Sequence, residues 1–201
     1  MKIAILGNGP SLILDQALYE SFDKVLITNR LIWENFSDWN NQVIYVCADQ
    51  RFGHSEEWKK AITSATQEVF LSENLASLFK EVDSRDFFQS YENLLSKSIA
   101  LEFVNEFPLV QNMNANVVLD FGILVALHFG ATDICLFGCD FDYRLNKPSD
   151  KPHYFNNYKE RGALFEHSVS SSINWSNQSQ LKFSNMRDFL FTRNVKLTNN
   201  S

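Results

Sequence analysis

Residues 2–14 read KIAILGNGPSLIL. A short continuous apolar run, KIAIL (2–6), meets Gly7-Asn8-Gly9-Pro10-Ser11 and then turns apolar again. An uninterrupted apolar run of this length bounded by glycine reads as a buried strand. The following SLILDQALYESF (11–22) reads as a helix with Ser11 near its N-cap. Gly7 and Gly9 let the backbone turn with φ > 0 or lie close against a ligand. Ser11, with the N–H groups of a helix start, makes a seat for an anion. The spacing is not the dinucleotide fingerprint, because Leu12 stands where a third glycine would be needed, and no Gly-Lys-Ser/Thr follows as in a P-loop.

The same strand-then-helix rhythm continues. KVLIT (24–28), QVIYVCA (42–48), EVFLS (68–72), DICLFGCDF (133–141) and VKLTN (195–199) read as strands, and ALEFVNEF (100–107) as a further candidate. Helical stretches are expected around RLIWENF, over SEEWKKAITSAT (55–66), and within 73–100, where Leu75, Leu78, Phe79 and Val82 share a face. NANVVLDFGILVALHFGA (114–131) reads as a helix apolar almost all round, ending at Gly130 as C′, and 181–194 as a last helix. Strands alternating with helices predict an α/β fold: a Rossmann-like, mostly parallel sheet with helices on both faces. Residues 144–180 are polar and loop-like and are expected to form a small lid. The expected organisation is a nucleotide-binding α/β domain, 1–143 plus 181–201, with 144–180 as a lid on the acceptor side.

Composition narrows the partners. The chain of 201 residues carries 18 basic and 24 acidic residues, a net charge of −6, which is a poor footprint for nucleic acid. Cys47, Cys135 and Cys139 form no C-x-x-C pair, so neither a disulfide framework nor a zinc site is signalled, and Cys47 and Cys135 read as small buried hydrophobes. The start MKIAILGNGP does not read as a secretory signal, and no run of about 18 apolar residues is present. A cytoplasmic location without a membrane span is therefore expected; peripheral membrane association and a homo-oligomer stay open.

In a doubly wound sheet, ligands bind outside the carboxyl ends of the strands. Four polar clusters fall there: Gly7 to Ser11, Thr28-Asn29-Arg30, Ala48-Asp49-Gln50-Arg51 and Gly138-Cys139-Asp140-Phe141-Asp142-Tyr143. Their convergence predicts a common cleft. His153 and His167 lie on the long polar segment that would cover it, and a neutral imidazole can take a proton from a hydroxyl. His128, inside the apolar helix, reads as structural, and His54 as a cap or a ligand contact.

GNGPSL after the first strand, the Asn in TNR after the second, and LFGCDFDY after an apolar helix ending in glycine resemble the bacterial sialyltransferases of glycosyltransferase family 42. The outline is shared by a wider group of GxGPSL proteins, the hydroxymethylpterin pyrophosphokinase-like (MptE-like) superfamily. The resemblance implies a GT-A-like variant of the Rossmann sheet and a metal-independent, inverting transfer of a CMP-activated acidic sugar to a glycan acceptor in cell-surface glycan assembly. The nucleotide-sugar donor and the glycan acceptor are then the partners, with no further cofactor. It implies that Gly7, Asn8, Gly9, Ser11, Asn29, Gly138 and Asp140 hold the nucleotide and donor, that Tyr143 and Tyr154 steady the departing phosphate, and that His167 or His153 is the base. Asp49 and Gln50 replace an asparagine-containing strand end and stand in the same donor-binding set. Val117 and Val118 stand where the family has a Thr-Ser pair, with Asn114 and Asn116 just upstream; Asn116 joins the donor-binding set. Two other readings stay open. One is an ATP-dependent diphosphate transfer using Mg²⁺ at Asp140 and Asp142. The other is a non-catalytic nucleotide-sugar or glycan-binding protein.

Overall fold

The computed structural model describes residues 1–79, 94–108, 117–141 and 169–201. Six strands of the described residues form one sheet: β1 (Lys2–Leu6), β2 (Lys24–Thr28), β3 (Gln42–Cys47), β4 (Glu68–Leu71), β5 (Asp133–Phe137) and β6 (Lys196–Asn199), in the order β4-β3-β2-β1-β5-β6. Every pairing is parallel, with Ala4 opposite Val25 on one side and Cys135 on the other. The apolar runs are continuous because a parallel sheet is covered on both faces. Successive side chains point to opposite faces. Ile3, Ile5, Leu26, Ile44, Val46, Phe70, Ile134 and Leu136 enter one core, Ala4, Leu6, Val25, Ile27, Tyr45, Cys47 and Cys135 the other. All three cysteines are buried free thiols.

Among the described residues the α-helices are α1 (Glu56–Thr63), α2 (Glu73–Ser77), α3 (Ser98–Glu106), α4 (Ile123–His128) and α5 (Val169–Phe191). A π-helical turn, Val117–Gly122, leads directly into α4. The predicted C′ glycine is in place: Gly130 has φ +80°, Gly130 N–H donates to Leu127 O, and Ala131 N–H donates to Ala126 O at 3.0 Å. That pattern closes the last turn of a helix.

Three local expectations are corrected. Residues 11–22 do not form a helix; only the 3₁₀ turn Gln16–Leu18 is present, capped by Asp15. Ile13 O and Ala17 N–H, which a helix would join, are each taken by a side chain, Ala17 N–H by Asp15, and the ends of the stretch are held from elsewhere. Asp140 accepts from Ser11 N–H, the Tyr19 hydroxyl donates to Ile13 O, and Asn41 Nδ2 donates to both Tyr19 O and Phe22 O. ALEFVNEF lies in α3, not a strand, because Ala100 and Phe103 are buried while Leu101 and Glu102 face out, a spacing of 3 to 4. The last helix begins at Val169, not 181, so the part of the loop-like stretch from 169 to 180 is helical. That part holds no Gly or Pro, Ser176 is wholly buried, and Gln178 donates to Asn174 one turn back.

Tyr19 supplies a measurable consequence. Burial, with Asp15 and then Cys139 adding to it, pushes its phenol from 10.0 up to about 12. The stability that belongs to the neutral phenol is present in full below the ordinary value and falls away as pH rises through the raised one. The urea midpoint is therefore expected to drop between about pH 10 and about pH 12, and Tyr19→Phe should start about 1 kcal/mol lower but show a shallower drop. A parent profile that stays flat across this window would contradict the burial of the hydroxyl.

Candidate functional site

The sheet order reverses at β1. From there the chain runs outward through β2, β3 and β4, then returns to lay β5 and β6 on the other side. In such sheets the crevice at the carboxyl ends of the two diverging strands is the ligand position. Here those ends are Gly7 to Ser11 after β1 and Gly138 to Phe141 after β5.

The two segments are tied by their backbones. Gly7 N–H donates to Phe137 O at 2.8 Å and Gly9 N–H to Gly138 O at 2.7 Å. Gly138 has φ +60° and Phe141 φ +48°, so the chain turns left-handed on both sides of Cys139-Asp140. A side chain on Gly9 would put its Cβ 2.0 Å from Asp140 Oδ2 and 2.7 Å from Gly138 O; on Gly7 it would stand 2.5 Å from Gly138 O. Neither Gly7 nor Gly9 has a positive φ. The two glycines therefore serve the close approach of one strand end to another, not a left-handed turn. The expected anion seat at Ser11 is absent as well. No helix starts there, and Ser11 N–H donates to Asp140 Oδ2 at 3.3 Å.

Asn8 reaches across to β2. Its Nδ2 donates to Thr28 O at 3.1 Å and to Thr28 Oγ1 at 3.0 Å, while Thr28 Oγ1 donates to Leu6 O at 2.8 Å. Two acceptors fix which end of the amide is nitrogen. The other end, Asn8 Oδ1, is buried without a donor. Buried acceptors are normally satisfied, so this oxygen retains the capacity to accept an N–H or O–H.

Asn29 follows β2 with φ +48° and opens the 3₁₀ turn Asn29–Trp33; Cys47 Sγ lies 3.8 Å from its Oδ1. Arg30 is buried, its guanidinium 5.8 Å from the Trp33 ring, rather than displayed as a phosphate clamp. Asp49 ends the segment after β3, accepting from Phe52 N–H, and Gln50 opens the next 3₁₀ turn, Gln50–His54. The Phe52 ring stacks on Trp58 at 3.7 Å and anchors that turn to α1. His54 is exposed. His128 packs between the Phe70 and Phe129 rings at the far end of α4, as a structural residue would. Tyr143, His153, Tyr154, His167, Asn116 and Asp142 lie outside the described residues.

Ser72, Asn199 and Ser201 carry no motif signal, and Thr28 only that of its strand-end cluster. Thr28 is wholly buried beneath Asn8. Ser72, after β4, donates to Ala48 O at 3.1 Å. Asn199 and Ser201, at and beyond the end of β6, bond to Cys139. Burial pushes the Cys139 thiol well above its ordinary value, which keeps it protonated. Among the described residues no three His, Cys, Asp or Glu side chains converge as a metal site would require, and no helix is long and apolar enough to cross a membrane. A separate groove of about 370 Å³ runs beside α1, lined by Trp33, Glu57, Lys60 and Thr66 among others, and shares no residue with the strand-end crevice.

Fold and crevice together define a doubly wound α/β domain with a candidate crevice at the topological switch point. In fold the chain is similar to bacterial sialyltransferases. It matches sialyltransferase CST-II in complex with a trisaccharide acceptor and CMP at 18% identity and TM-score 0.53, over 99% of this chain and 80% of that one. It matches CstII from Campylobacter jejuni in complex with cytidine-5'-monophosphate at 20% identity and TM-score 0.54, over 98% and 79%. It matches the monofunctional alpha-2,3-sialyltransferase Cst-I from Campylobacter jejuni at 18% identity and TM-score 0.51, over 98% and 74%. No family model matches the sequence, and no curated protein does.

Proposed function

We propose that the chain is a glycosyltransferase that moves a CMP-activated acidic sugar, of the sialic acid kind, to a hydroxyl of a glycan acceptor. The observation that carries this reading is the row of strand ends about β1, where Asn8 offers a fixed, buried and undonated oxygen on the β2 side and Asp140 a carboxylate on the β5 side. A nucleotide presents the donors that such a pair accepts: an exocyclic amine and ribose hydroxyls. The likeness in fold to transferases solved with CMP supports the same choice.

In this reading Asn8, Asn29 and Asp140 hold the nucleotide, with Asp49, Gln50 and Asn116 toward the sugar. Gly7, Gly9 and Gly138 shape the floor, and Ser11 helps to fix Asp140 through its N–H. An acceptor hydroxyl gives its proton to His167 or His153 and attacks the anomeric carbon. The bond from that carbon to the phosphate oxygen breaks through an oxocarbenium-like transition state, with inversion. CMP leaves with the bonding pair, its developing charge met by the hydroxyls of Tyr143 and Tyr154. No metal ion is needed, since a CMP-sugar has one phosphate to neutralise.

A thermal-shift series over CMP, CDP, UDP, GDP and ATP, with Mg²⁺ and with EDTA, tests this. A ligand that binds the native state alone raises stability by about 2.7 kcal/mol at a hundred times its Kd. CMP is expected to raise the melting temperature by roughly 5–10 °C, equally in EDTA. A shift with ATP that needs Mg²⁺, and none with CMP, would reject the CMP-sugar reading in favour of diphosphate transfer.

A further inference from the structure

Asp140 sits between two left-handed residues, Gly138 at φ +60° and Phe141 at φ +48°, beyond the end of β5 at Phe137. A phenylalanine seldom adopts that conformation, so local preference does not hold this segment in place. A closed ring of hydrogen bonds from β6 does. Cys139 N–H donates to Ser201 Oγ at 2.7 Å, Ser201 N–H donates to Asn199 Oδ1 at 3.2 Å, and Asn199 Nδ2 donates to Cys139 O at 2.9 Å. Both backbone groups of buried Cys139 are thus satisfied by side chains where the sheet ladder has stopped. The ladder itself runs up to the ring, with Asn200 N–H donating to Leu136 O at 2.9 Å. On the other side, the next residue's carboxylate accepts Ser11 N–H and fills the space above Gly9.

We infer that Asn199 and Ser201 are positioning residues of the crevice, holding Cys139 by both backbone groups and so fixing the Asp140 carboxylate against the Gly9–Ser11 turn. They touch no ligand; they act through Asp140. The inference rests on the nucleotide reading of the crevice, and it predicts that ligand affinity suffers while the fold persists. Losing one such hydrogen bond changes an equilibrium by about 2- to 13-fold.

The test is a double-mutant cycle read by CMP titration calorimetry. Asn199→Ala and Asp140→Asn are each expected to weaken CMP by about tenfold, and the double variant by no more than about twentyfold, because both act on one contact. Ser201→Thr, which keeps the hydroxyl, should bind like the parent, and Ser201→Ala should not. Unchanged affinity in Asn199→Ala, or effects that multiply to about a hundredfold, would overturn the inference. If the parent binds no CMP, the nucleotide reading fails separately, and amide exchange decides the inference. In Asn199→Ala the Ser11 N–H should then exchange at least about tenfold faster while β1 amides stay protected. A Ser11 amide that keeps the parent rate would refute the coupling.

Discussion

Gly9→Ala is expected to lower the melting temperature by about 5–10 °C and to weaken any ligand of the crevice together with it. The new methyl would lie 2.0 Å from Asp140 Oδ2 and 2.7 Å from Gly138 O. The carboxylate can swing away only by releasing Ser11 N–H, and the carbonyl is held by Gly9 N–H itself. Overpacking of this kind costs about 1–3 kcal/mol. Gly130→Ala is the control. Gly130 has φ +80° but nothing within 4 Å of an added Cβ, so it suffers conformational strain alone. Its melting temperature should fall by only about 2–4 °C, and crevice binding should be unaffected. Equal melting and equal ligand affinity in Gly9→Ala and the parent would show that the two strand ends do not pack as described.

The second large effect concerns Lys182. It lies on α5 and pairs with Asp120, whose side chain is 1% exposed inside the π-helical turn ahead of α4. Removing one member of a buried pair takes compensation from a charge held away from water, which commonly costs about 3–5 kcal/mol. Lys182 keeps 30% of its side-chain exposure, so Lys182→Met is expected to fall below that range, at about 2–3 kcal/mol, read from urea midpoints. Asp120→Leu combined with Lys182→Met should cost less than the two single losses added together, because the two side chains share one interaction. A single Lys182→Met variant within about 0.5 kcal/mol of the parent would mean that the pair does not fasten α5 to the sheet face.

These residues also mark how far sequence reading reaches. KIAIL, KVLIT and DICLF could be read as strands because a strand covered on both faces has no polar alternation to disguise it. The polar clusters that follow were legible for the same reason: chain polarity must change where burial ends. Gly130 was legible because a helix end imposes its own local geometry. The stretch 11–22 was not. Its helical spacing is real, but Ile13 O and Ala17 N–H, a pair that a helix would join, go to the Tyr19 hydroxyl and the Asp15 carboxylate, while Asp140 and Asn41 hold its two ends from 129 and 22 residues away. Ala100 and Phe103 show the reverse case, where a short apolar segment fits either period and packing selects the helix.

The sequence by itself determined the parallel sheet, its two buried faces and the edge at which its polar residues gather, because these follow from runs of neighbouring side chains and their need to leave water. Only the tertiary structure decided why Gly7 and Gly9 must be glycine, which end of the Asn8 amide is left without a partner, and how Cys139 and Asp140 are held from β6. Each of those depends on groups that the chain brings together across 20 to 131 residues of sequence. No local pattern encodes such a meeting, since the contact exists only once the strands have paired and the sheet has turned back at β1.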